Sequence, residues 1–118
     1  MGHLIQIREG QSWLGANWSA EHVIRLILMF LPSTTSLEVR QILQSMEEQS
    51  SDINLSNCSR SDFEAILAAS EQAFAALTAA GPNSDYFHDP DFYPGFVEHF
   101  HTLIEIFRTD ARAINRNA

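Results

Sequence analysis

The side chains best equipped for chemistry cluster in one stretch of this 118-residue chain, Asp85-Tyr86-Phe87-His88-Asp89-Pro90-Asp91-Phe92-Tyr93-Pro94-Gly95-Phe96. Carboxylates alternate there with aromatic rings and a histidine. Rings bring large contact area at low entropic cost and recur as interface anchors. Aspartates beside them accept charge-assisted hydrogen bonds from arginine or lysine. Asp85, Tyr86, His88, Asp89, Asp91 and Tyr93 therefore read as a surface that grips a basic protein. Glu47 and Glu48 begin a second acidic cluster, with Asp52, Asp62 and Glu64 across a loop, and extend that surface if the two loops are neighbours. The competing reading is architectural: Phe87, Phe92 and Phe96 close the end of the fold while the aspartates cap a helix. Calcium does not fit, because an EF-hand needs carboxylates at fixed alternate positions and a terminal glutamate that this spacing lacks.

Glu98, His101 and Glu105 are the only other constellation of note. Spacings of three and four place them on one helix face, where they could ligate zinc or share a proton. His99 falls elsewhere, and neither an H-E-x-x-H pattern nor a Cys/His cluster occurs. A solvated face, with Glu105 paired to Arg108, is the simpler account. Cys58 sits among Ser and Asn without a nearby base, so it reads as a free thiol. His22 reads as a boundary residue, and Trp13 and Trp18 as rings laid back over the first helix. No cofactor is expected.

These residues need a scaffold of helices. A run from Ser19 to Leu31 is apolar all round, which marks a central buried helix ended by Pro32. Thr35 with Glu38, and Ser61 with Glu64, have the spacing of capping boxes for a second and a third helix. Gly81-Pro82 stops the third. Phe96, Phe100, Leu103 and Phe107 form the stripe of a fourth helix that opens at Pro94. The helices are expected at about 19–31, 36–49, 62–80 and 92–114 of the chain. Residues 3–8 have a short strand pattern with Ile5 and Ile7 on one face, and 10–18 reads as a loop. A lone strand must dock as extended chain or pair with a second copy. The expected fold class is all-α, a compact four-helix bundle-like array with an irregular or short-strand N-terminal segment, forming one domain over 1–118.

Bulk properties narrow the partners. Fifteen acidic against seven basic residues give a formal net charge of −8. That charge opposes binding to nucleic acid and to anionic membranes, and favours encounter with basic proteins. The longest apolar run, Val23 to Leu31, is interrupted by Arg25 and far short of a membrane span. One cysteine and no signal-peptide pattern point to the cytoplasm.

In size, acidity, helical make-up and its acid-plus-tyrosine surface, the chain resembles the helical immunity proteins that protect bacteria from their own nuclease toxins. The resemblance implies a small bacterial inhibitor, not an enzyme, that covers the basic surface of a toxin. Two alternatives stand beside it. One is a homodimeric adaptor or chaperone-like protein paired through residues 3–8, the other a small metal-dependent enzyme built on Glu98, His101 and Glu105.

Overall fold

The computed structural model describes residues 2–114. In chain order these form β1 (Gly2–Arg8), β2 (Gln11–Ala16), α1 (Asn17–Phe30), α2 (Leu37–Gln49), β3 (Ile53–Asn54), α3 (Arg60–Ala80), α4 (Tyr93–Arg108) and α5 (Ala111–Ile114). The fold is α+β, not all-α, because three strands from the N-terminal half build a mixed sheet in the order β2-β1-β3. Residues 3–8 are therefore not a lone strand. Glu9-Gly10 turns the chain, with Gly10 at φ 80°, and β2 returns antiparallel so that Ile5 faces Trp13 and His3 faces Gly15. On its other edge β1 pairs in parallel with β3, Ile5 against Ile53 and Gln6 against Asn54. Both edges of β1 are engaged, which removes the pairing of two copies through this strand.

His3, Ile5, Ile7 and Trp13 point inward from the sheet, and α1 lies over them. α1 also packs on α2 and α3, so it occupies the centre as its composition demands. Its burial is incomplete, however: Met29 and Trp18 remain 59% and 49% exposed. α1 follows β2 directly, without a side-chain cap, and Ser19 is buried inside its first turn. The other two helix starts also differ from the expected boxes. Ser36 caps α2 by accepting from the Val39 N–H at 3.3 Å, and Ser59 caps α3 by accepting from the Asp62 N–H at 3.1 Å. Thr35 is instead buried, and among the described residues its hydroxyl has no hydrogen-bond partner. Gly81, at φ 86°, ends α3 as expected.

The fourth helix breaks after Arg108. Asp110 is 3% exposed and restarts the chain as α5 by accepting from the Arg112 N–H at 2.9 Å. Its carboxylate also accepts from the Arg112 guanidinium at 2.9 and 3.1 Å and from Arg8 at 3.3 Å. Arg112 in turn donates to the carbonyls of Ile7, Leu55 and Cys58 at 2.8, 2.8 and 3.1 Å. Its guanidinium carbon lies 4.0 Å from the centroid of the Phe63 ring. These donors hold the Asp110 carboxyl at about 2, below its ordinary 3.8. A depressed carboxyl stabilises the fold above pH 3.8, and the contribution is lost as pH falls towards 2. The difference amounts to about 2 kcal/mol. Asp110→Asn should lose about that much stability at neutral pH and show a shallower decline between pH 4 and pH 2, measured by urea denaturation across that range.

Candidate protein-binding face

The segment between α3 and α4 is held from its inner side. Ser84 and Phe87 exchange backbone hydrogen bonds of 2.7 and 3.3 Å, which folds the chain into a tight turn. The Tyr86 carbonyl accepts from His22 Nε2 of α1 at 2.6 Å. The Asp89 carbonyl accepts from the N–H groups of Phe92 and Tyr93, and its carboxylate accepts from the Asp91 N–H at 3.1 Å. Phe87 and Phe96 are buried and stack with centroids 4.7 Å apart, and the His22 ring stands edge-on to both.

The architectural reading of this segment holds for Phe87 and Phe96 but not for Phe92, which is 58% exposed, and no aspartate side chain caps α4. Phe87 and Phe96 close the core, whereas Asp85, His88, Asp89, Asp91 and Phe92 face solvent. The two tyrosines are half-buried. Tyr93 donates its hydroxyl to the Leu77 carbonyl at 3.3 Å, and Tyr86 packs on Phe30 with centroids 6.2 Å apart. The exposed ring that joins Phe92 comes from another element: Trp18, in the first turn of α1, meets it edge-on at 5.7 Å. Sequence reasoning placed Trp18 over the first helix and so missed this contact. No local pattern signals it, because Gln11–Ala16 before it lacks a clean alternation.

Trp18 and Phe92 border an open groove of about 490 Å³, with Phe87 and His22 behind them and Asp89 and His88 at the rim. Arg25 also lines it, but its guanidinium donates to Glu47 at 2.8 Å. That ion pair brings Glu47 of α2 to the groove's border, and Glu48 is exposed beside it. The rest of the second acidic cluster lies elsewhere. Asp62 accepts from the Ser36 hydroxyl at 3.0 Å, and Asp52 accepts from the Leu4 N–H at 2.8 Å. Burial pushes the His22 imidazole below its ordinary value, with the Tyr86 carbonyl opposing more weakly. The ring's Nε2 donates to that carbonyl.

A solved structure shares this architecture over nearly its full length. The CdiI immunity protein, described in the structure of the CdiA-CT toxin from Burkholderia pseudomallei E479 in complex with cognate CdiI immunity protein, superposes with a TM-score of 0.72. The superposition covers 94% of this chain and 98% of the other, at 19% sequence identity. The two chains share a fold. No protein-family model matches the sequence, and no curated protein matches it. At this identity the likeness to CdiI concerns backbone architecture, and no individual residue is carried across.

The remaining candidates are structural. His101 Nε2 lies 3.4 Å from Glu105, but Glu105 is also bound by Arg108 at 2.6 Å. Arg108 reaches on to Glu71 of α3 at 2.9 Å, so the group bridges two helices. Among the described residues, no trio of His, Cys, Asp or Glu is placed to hold a metal ion, Glu98, His101 and Glu105 included. His99 stacks on Trp13 with centroids 4.4 Å apart and donates to the Leu14 carbonyl at 2.9 Å. Cys58 is half-buried, and burial pushes its thiol up, away from reactive thiolate chemistry. No described helix is long and apolar enough to cross a membrane.

The division between inward and outward rings has a measurable consequence. Phe96→Ala should lower stability by about 3–5 kcal/mol, as truncation of a buried phenylalanine does. Phe92→Ala should stay within about 1 kcal/mol of the parent protein in chemical denaturation, and Trp18→Ala, whose ring also rests on Phe87 and Phe96, should fall between the two.

Proposed function

We propose that this chain is an immunity-type inhibitor that binds a toxin domain of the CdiA-CT kind and blocks it by covering its surface. The observation that carries the reading is the shared fold with CdiI over 94% of this chain. Charge supports it independently. A toxin that acts on nucleic acid must present a basic surface to phosphates, and a chain of net charge −8 complements that surface. Asp85, Asp89 and Asp91 supply carboxylates on the exposed side of a loop whose backbone is already fixed. Such preorganisation lowers the ordering cost of association.

On this reading the chain contributes no chemistry. Inhibition comes from exclusion of substrate, with Asp85, His88, Asp89 and Asp91 at the contact and Glu47 and Glu48 along its border. Tyr86 and Tyr93 shape the loop from beneath rather than reaching far outward. The partner is a toxin domain of that kind, to be sought first among the genes beside this one, and the site of action is the cytoplasm of the cell that makes the inhibitor.

Co-expression tests the proposal. Purified chain and neighbouring toxin domain should form a stable complex, and the chain should restore growth to cells that express the toxin. Absence of both would overturn the proposal. A combined Asp85→Asn, Asp89→Asn, Asp91→Asn variant should associate at least tenfold more slowly at low salt and should lose most of the salt dependence of the association rate, by stopped-flow or surface binding.

A further inference from the structure

We infer that the groove between Trp18, Phe92 and Asp89 is a slot for a single arginine side chain of the toxin. The inference rests on the reading above and deepens it, since it names the anchor that the acidic loop surrounds. Phe92 and Trp18 are 58% and 49% exposed, and they are the exposed large apolar side chains among the described residues that are aromatic and touch one another. Exposed rings in contact at the border of a groove form a continuous apolar patch, which on a soluble protein marks an interaction site. Asp89 stands at its rim with one carboxylate oxygen engaged by the Asp91 N–H, which aims the carboxylate without neutralising it.

The charges around the groove select a cation. Arg25 is matched by Glu47 at 2.8 Å, and the half-buried His22 ring spends its Nε2 on the Tyr86 carbonyl at 2.6 Å. Against the exposed His88 stand Asp85, Asp89 and Asp91 in the same loop. Of the three only Asp89 lines the groove, and an anionic side chain would be repelled by it while a purely apolar one would leave it unpaired. A guanidinium instead presents a planar face to the rings and in-plane donors to a carboxylate, which an ammonium does not. The same combination is built into this molecule at another site. Arg112 lies 4.0 Å over Phe63 while it donates to Asp110 at 2.9 Å. The groove offers the rings and the aspartate of that arrangement with the arginine supplied from outside.

Two measurements test the slot. In nuclear magnetic resonance titrations of the folded chain, N-acetyl-arginine amide should shift the Trp18 indole N–H and the amides of 88–92 in a saturable manner. N-acetyl-norleucine amide, which carries an apolar stem without the cation, should shift them less than half as far. Equal or larger shifts with the norleucine amide would overturn the inference, whatever the toxin does. In the complex, Trp18→Ala and Phe92→Ala should each weaken affinity tenfold or more while the variants remain folded, by calorimetry with the toxin domain. Phe92→Tyr, which keeps the ring, should restore most of it. A parent chain that binds no toxin domain would sink the immunity reading. A parent complex whose affinity survives both alanine variants would sink the arginine slot and leave that reading standing.

Discussion

The guanidinium of Arg112 is the constraint on which the closed form of this fold depends. It collects carbonyls from β1 and from the loop between β3 and α3, covers the Phe63 ring, and carries Asp110 as its counterion. Each of these groups would be costly to bury alone, because a desolvated charge or carbonyl without a partner loses its hydration for nothing. Together they are mutually satisfied. The same aspartate ends α4 and starts α5, so the bend in the chain and the charge pair are one feature. With this end of the molecule fixed, α4 lies along α3 and delivers its first turn, with Phe92 just before it, to the opposite end.

The helices were legible because their signals are local. Apolar stripes of period 3.6 marked α2, α3 and α4, and Gly81-Pro82 marked a stop. Of the strands only β1 was legible, as the short strand pattern at 3–8, while β2 and β3 were not. Ile5 and Ile7 alternate with Gln6 and Arg8, and Glu9-Gly10 after them is a two-residue turn, but β2 has no clean alternation because Leu14 and Ala16 on its outer face are apolar too. What hid the sheet was β3, two residues whose pairing with β1 spans some fifty positions of sequence and carries no pattern of its own. Without it a hairpin over a helix looks like a loop. The capping boxes failed for a different reason: Ser36 and Ser59 each lie within two residues of the expected cap, and spacing alone does not choose between adjacent hydroxyls.

For the candidate face, composition found the segment and tertiary contact decided its members. Density of aspartate and aromatic residues singled out 85–96 from the rest of the chain. Which rings turn inward depends on His22 and Leu77, which bind the loop from other elements. Tyr86 and Tyr93 owe their half-burial to those contacts. Trp18 belongs to the face only because β2 runs into α1 without a connection, which leaves the first helical turn beside the loop. Glu47 joins through Arg25, a residue that in sequence merely interrupts an apolar run.

The His22 hydrogen bond to Tyr86, the Ser84–Phe87 turn and the Phe87–Phe96 stack together fix the loop through backbone and inward side chains alone. None of these anchors uses the outward side chains at 85, 88 or 92. The outer surface is therefore free to diverge while the scaffold beneath it stays intact. Substitution at a handful of rim positions can change the chemistry of this face without unfolding the chain, which puts foldability and surface identity under separate selection.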